Sequence, residues 1–332
     1  MVVFGRRNVL LVLLVLFLLL PFYSNPYTLF IGTLVFIYVL LAVGLNLLVG
    51  YAGQLAFANA AMFGIGAYGT GLLQVRLGFP FFLAFPSGAL IATLVGLAIS
   101  LPALRLSGLY LALTTLAFAQ AAQWVFLHWE AVTYGAGGFK TPLVSFAPLP
   151  VDTPTGLYWL SLVLAVALTL FAWNVASSRI GRAFVAIRDG EVAAESLGID
   201  LLRYKALAFA MSGFYAGVAG GLYSALLNFV APEGFDLFQM VLHKAMIVVG
   251  GLGSVTGSLL GAGLLVLLLE AFREFKGTQE IAFGALLLLF VLFLRGGIVA
   301  VLKRNLPGWE EPLRFRERRR AGAAQPAPLA GD

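Results

Sequence analysis

The sequence predicts an all-α polytopic membrane protein of about ten transmembrane segments, some of them short or re-entrant. Three observations carry this. Apolar runs of 18 or more residues recur along the chain, each long enough to span the hydrocarbon core as a helix. The 332 residues are 61% hydrophobic and 11% charged, with a mean hydropathy of +0.97, whereas a soluble domain carries roughly 25% charged residues. Strong period-2 alternation is absent, which argues against a membrane β-barrel.

Taken in order, Arg6 and Arg7 precede the apolar run Val9–Leu20. The run looks like a signal peptide, or weakly like a twin-arginine signal, but no small-residue cleavage site follows, so it reads as a retained first span. The second span is Tyr27–Val49. A Gly-rich break, GYAGQ at 50–54, leads into a third span from Leu55 to about Val75, and a link at 76–80 into a fourth, about Phe81–Leu101. Pro102, Arg105 and Gly108 mark a turn before the fifth, Leu109 to about Leu127. A polar connection at 128–155 precedes the sixth, about Gly156–Ala176. The seventh is about Ala206–Phe229. Residues 237–270 hold two short segments hinged at GGLGS (250–254), read equally as two tilted spans or one re-entrant hairpin. Ile281–Leu294 leads into the last span. Residues 1–302 are expected to form the membrane domain, and the Arg- and Pro-rich 303–332 a disordered tail.

Between the sixth and seventh spans lies the most charged interior stretch, 179–205. Read as helix, Ala183, Ala186, Ile187, Gly190, Ala193, Ala194 and Leu197 share one small apolar face, with Arg188, Glu191 and Glu195 opposite. Asp189-Gly190 is a turn dipeptide, so two short helices fit as well as one. Such a face suits either docking on a partner protein or an ordinary surface linker.

Basic residues are distributed unevenly. Sixteen fall on the side of the N-terminus, Arg105, the 179–205 loop and the tail, and four on the other: Arg76, Lys140, Arg273 and Lys276. The positive-inside rule puts the 179–205 loop and both termini in the cytoplasm. The net charge of +6 therefore reports orientation and not nucleic-acid binding. With no cysteine and only His128 and His243 as histidines, neither a disulfide nor a thiolate or histidine metal centre is expected, and no cofactor.

The G-x-G-x-x-G match at 64–69 lies inside an apolar span without an acidic partner, so it reads as helix packing through small residues. No P-loop or catalytic motif occurs, so an ATP site or enzyme chemistry is not expected. Asn46, Gln54, Asn59, Thr114, Thr115, Gln120 and Gln123 are polar groups at membrane depth. They either face a water path or hydrogen-bond between helices. Lys244, beside His243, is the costliest of the interior groups; it lines a path, snorkels, or pairs with Glu270. The breaks VGYAGQ (49–54) and VGGLGS (249–254) echo one another weakly.

Several segments in order resemble the branched-chain amino acid ABC transporter permeases: GLNLLVGYAGQL (44–55), FGIGAY (63–68), GLYLALTTLAFA (108–119), AIRDGEVAAESLGI (186–199) continuing to Arg203-Tyr204-Lys205, FVAPE (229–233) and GGLGS (250–254). The resemblance covers roughly residues 40–270. It implies a type II ABC importer-like permease fold in a bacterial or archaeal cytoplasmic (inner) membrane. It further implies two ATP-binding cassette ATPase subunits, a second homologous permease, and a periplasmic or lipid-anchored substrate-binding protein. ATP hydrolysis would lie in the ATPase subunits. Arg182, Ile187, Arg188, Glu191, Ala194, Glu195 and Gly198 would couple to the ATPase. Asn46, Gln54, Asn59, Thr115, Gln120 and Lys244 would line the path of an amino acid substrate. Two departures stand out: Ala56, Ala58 and Asn59 replace the family's frequent Ser, Gly and His, and His243-Lys244 is more similar to the partner permease. Related permeases carry urea and short amides. A different class, an ion-coupled secondary transporter, would need buried carboxylates, and Glu270 is the only candidate.

Overall fold

The computed structural model describes residues 17–18, 20–21, 25–103, 105–146, 152–274, 279–293 and 296–305. The first predicted span lies mostly outside these residues, as do Arg295 and the basic cluster 314–320. Helix dominates. Helix α1 is Pro26–Asn46, extended by a π-helical turn Leu47–Tyr51; α2 is Asn59–Leu77, α3 Phe81–Ala103 and α4 Gly108–His128. After a short α5 (Glu130–Thr133) come α6 (Thr153–Ser177), α7 (Arg179–Asp189), α8 (Glu191–Ser196) and α9 (Leu201–Leu227). Then follow α10 (Leu237–Gly250), α11 (Val255–Ala271), α12 (Gln279–Phe293) and α13 (Gly297–Asn305). Two-residue strands β1 (Phe139–Lys140) and β2 (Phe229–Val230) pair antiparallel, Phe139 opposite Val230.

Local chemistry sets the boundaries. Pro26 opens α1, where its missing N–H costs nothing. Asp200, Asp236 and Ser254 cap α9, α10 and α11 by accepting the backbone N–H of Arg203, Gln239 and Gly257 at 3.0–3.1 Å. Gly78, with φ of 65°, ends α2 in the left-handed conformation that glycine adopts freely.

Among the described residues five helices are long and apolar enough to cross a membrane: Pro26–Tyr51, Phe81–Pro102, Gly108–His128, Thr153–Ser177 and Leu201–Leu227. The two predicted short segments are α10 and α11, broken between Gly251 and Ser254. The helix of the predicted third span, α2, is not among these five and differs from its expected bounds. It starts at Asn59, and residues 53–57 have no regular structure. Hydropathy does not register that unwinding, because Leu55, Ala56 and Phe57 are apolar whether helical or not.

Helix α9 is the hub, packed on α1, α2 and α3. Lipid is as apolar as leucine, so small residues supply the close approach. A methyl group added at Gly66 of the 64–69 motif would lie 2.5 Å from the Cα of Gly217 on α9, and one at Gly220 2.1 Å from the Phe63 carbonyl oxygen. The bundle has two ends. The proximal end carries the Gly50–Gly53 break, the 105–107 turn, α7, α8 and the 251–254 break. The distal end carries β1, β2 and the cluster in which Tyr27 donates to Glu270 and Arg273 pairs with Glu270 at 3.2 Å.

Candidate functional site

Residues 179–205 resolve into two short helices and the start of a long one, as Asp189-Gly190 allowed. Ser178 caps α7 through Ile180 N–H at 3.1 Å. Part of the apolar face turns inward, while Ala193 and Leu197 of that face are exposed. Gly181, Ala183, Phe184 and Ile187 of α7 and Ala194 of α8 are buried against the protein's own bundle. Ile187 and Ala194 are 2% and 1% exposed, so these two side chains are covered by the chain itself. A 3.6-residue stripe marks a buried face without saying which molecule buries it. Outward-facing instead are Arg182, Glu195 and Gly198, with Val192 and Leu197 at 83% and 80% exposure.

Arg188 and Glu191 also reach inward. The Arg188 guanidinium donates to the Gly50 carbonyl at 3.0 Å and to Asp189 at 3.1 Å. Glu191 pairs with Lys205 at 2.7 Å, and Gln54 approaches its carboxylate at 3.5 Å. Lys205, counted from sequence as a loop charge, is 2% exposed. Losing one partner of a buried pair strands the other charge. Lys205→Met is therefore expected to destabilise the folded protein by roughly 3 kcal/mol, the low end for a broken buried pair, because Glu191 keeps part of its surface in water. Adding Glu191→Met should restore much of that, read as the melting midpoint of the protein in detergent. If the double variant melts no higher than the single, the pair is not the cause.

The two glycine breaks meet beneath Arg188. Asn46, in the last turn of α1, donates to the Ser254 carbonyl at 2.8 Å and to the Ser258 hydroxyl at 2.7 Å. It accepts from Gly253 N–H at 2.9 Å. A side chain at Gly50 would put its Cβ 2.4 Å from Gly253 N. Gly53 and Gly253 have φ of 68° and 72°, strained for any residue with a Cβ. Sequence reasoning placed Gly253 and Ser254 in the 250–254 hinge but did not pair that hinge with Asn46, and gave Ser258 no role; the echo between 49–54 and 249–254 was the available signal. A cleft of about 570 Å³ opens beside this junction, lined in part by Gly53, Gln54, Ser107, Arg188 and Glu191.

From the junction, residues 53–57 climb back into the bundle. Thr115 accepts from Phe57 N–H at 2.9 Å, about 10 Å along α4 from its proximal end at the helical rise. Asn59, at the start of α2, accepts from Ser212 at 3.4 Å. Lys244 donates to the Ala56 carbonyl and lies 4.9 Å from the Phe57 ring centroid. The predicted polar set thus divides. Gln54, Asn59, Thr115 and Lys244 gather on the 53–59 stretch, Asn46 braces the two breaks, and Gln120 is exposed on another face of α4. The sequence option of a Lys244–Glu270 pair is incorrect: Glu270 is held by Tyr27 and Arg273 at the distal end. The two lie on different helices with a turn between, so no local pattern fixes their separation.

A helical bundle whose broken helices meet at one end, beneath short surface helices, defines a multi-pass membrane protein built like a transport subunit. The family described as "Branched-chain amino acid transport system / permease component" matches residues 27–294. The chain is 33% identical to the high-affinity branched-chain amino acid transport system permease protein LivM of Escherichia coli, over 91% of this chain and 76% of that protein. Identity to the LivM protein of Salmonella typhimurium is 32% over the same shares. The ribose import permease protein RbsC of Haemophilus influenzae is 25% identical, over 70% of this chain and 73% of RbsC. No solved structure matches the chain. The chain belongs to the branched-chain amino acid transport system permease family, a family of transport subunits and not of enzymes.

Proposed function

We propose that this chain is the permease subunit of an ATP-driven, binding-protein-dependent importer in the cytoplasmic (inner) membrane, carrying branched-chain or other hydrophobic amino acids. The identity to LivM across nine-tenths of the chain carries this reading. The subunit works with two ATP-binding cassette ATPases, a second homologous permease and a substrate-binding protein outside the membrane. About ten crossings, in a type II importer-like arrangement, put both termini and the proximal end in the cytoplasm. Residues 1–302 form the permease domain, followed by a cytoplasmic tail. The charge bias supports this orientation.

The ATPase docks on the outer side of α7 and α8, through Arg182, Glu195 and Gly198 together with the exposed Val192 and Leu197. Ile187, Arg188, Glu191 and Ala194 carry its movement into the bundle. Arg188 and Glu191 reach the glycine junction and the 53–59 stretch, beside which Gln54, Asn59, Thr115 and Lys244 line the path. The ion-coupled alternative is weakened by Glu270, which is already held by Arg273 and Tyr27.

Co-expression with the neighbouring genes and affinity purification tests the reading. An ATPase subunit is expected to co-purify. Val192→Glu with Leu197→Glu, which places charge on two exposed apolar groups, is expected to reduce its recovery about tenfold or more while the permease itself stays monodisperse. Recovery unchanged by both the double variant and replacement of 183–198 with a neutral linker would remove the docking assignment.

A further inference from the structure

Lys244 sits midway along α10, eighth of its fourteen residues, and has no carboxylate partner among the described residues. Its ammonium has three N–H donors. One reaches the Ala56 carbonyl, and the Phe57 ring lies beside it. Lys244 shares one face of α10 with Val241 and Val248, at i−3 and i+4, which are 40% and 38% exposed. Leu55, next to Ala56, is 50% exposed. A cation on an apolar, partly open face at this depth is disfavoured against lipid, so the face meets water, a counter-charge or both. The unwound 53–57 backbone beside it supports the same conclusion, because irregular backbone at membrane depth is tolerated where it is buried in protein or lines a cavity. Helix α2 begins at Asn59, so the partial positive charge of its N-terminus lies at the end of that stretch. The Asn59 side-chain amide nitrogen is buried without an acceptor there.

We infer that Lys244 and the 55–59 stretch form a binding site for the carboxylate of an α-amino acid in transit, with Leu55, Phe57, Val241 and Val248 as the apolar bed for its side chain. The inference rests on the amino acid importer reading and sharpens it. A neutral amide or urea would leave the ammonium without a counter-charge, and a cationic cargo would be repelled. A leucine-like zwitterion supplies a carboxylate and an alkyl group together.

The test uses the whole transporter, reconstituted in liposomes with saturating binding protein, and reads ATP-driven leucine uptake in Lys244→Gln and Lys244→Arg. The same purified complexes, without binding protein, are titrated with L-leucine and with L-leucinamide, and thermal protection is measured. Lys244→Gln retains a donor for the Ala56 carbonyl and loses the charge. It is expected to lower the uptake kcat about tenfold or more and to abolish the preference for leucine over leucinamide. Lys244→Arg should keep both. If Lys244→Gln transports leucine like the wild type, or if the wild type does not distinguish the two compounds, the inference is overturned while the importer reading stands. If Lys244→Gln instead releases the second permease subunit, Lys244 pairs across that interface and the inference is overturned. A wild-type complex that carries a neutral amide and not leucine overturns both.

Discussion

Arg188→Ala is expected to cut ATP-driven uptake about tenfold or more while leaving recovery of the ATPase subunit unchanged. Arg188 leaves α7 and crosses to the bundle, where it donates to the Gly50 carbonyl. An added Cβ on Gly253 would lie 3.3 Å from the same guanidinium, so one side chain touches both breaks. Gly50 lies in the π-helical end of α1, and Gly253 lies between α10 and α11. A hydrogen bond from a charged donor contributes about 1.5–3 kcal/mol, and Arg188, with 39% of its side chain exposed, belongs at the low end. That suffices for about a tenfold change if the contact exists in only one of the transporter's two states. Lysine lacks the planar fork that serves Gly50 and Asp189 together, so Arg188→Lys should recover only part of the flux. Uptake and ATPase recovery measured on the same preparations decide it. Both falling in proportion would make Arg188 a docking contact, and neither falling would leave it without a role in coupling.

Asn46→Ala is expected to destabilise the protein by about 2–4 kcal/mol, because it removes three hydrogen bonds at once and leaves the Gly253 N–H without its acceptor. The Asn46 side chain makes three hydrogen bonds of 2.7–2.9 Å, all to the 253–258 segment, and is 1% exposed. The Ser254 carbonyl keeps the Ser258 N–H and hydroxyl as donors at 3.1 and 3.3 Å, so the Gly253 N–H bears most of the loss. Ser258→Ala removes only one of the three contacts and should cost about 1 kcal/mol. The measurement is the fraction of monodisperse protein left after heating in detergent, wild type against each variant. A Ser258→Ala loss equal to that of Asn46→Ala would mean that the clamp is a single contact. No loss in Asn46→Ala would mean that the two breaks are held together by other groups.

Where the sequence reading succeeded, the signal was local. The long apolar runs became long helices, with Gly108–His128 within a residue of its expected span. Pro102 and Arg105 lie where α3 gives way to α4, and Asp189-Gly190 separates α7 from α8. Where it failed, local pattern carried two meanings. Of the small face, Ala183, Ile187 and Ala194 are covered by this chain's own bundle while Ala193 and Leu197 stay exposed, a division the helical period does not specify. Leu55–Ala58 reads as span because hydropathy measures composition and not backbone geometry. Lys205 reads as a loop charge because its partner Glu191 lies on a different helix, across a turn.

The sequence alone determined the solvent this protein folds in, the positions of the long apolar helices, the charge asymmetry and the family. Each depends on composition, on short-range periodicity or on motifs in chain order. The tertiary structure alone decided that Arg188 turns inward, that Asn46 ties the two glycine breaks, and that Lys244 faces the unwound stretch and not Glu270. Those contacts join residues 138, 207 and 188 positions apart. A helical period specifies which face a residue occupies, but the neighbour on that face is set by how the helices pack.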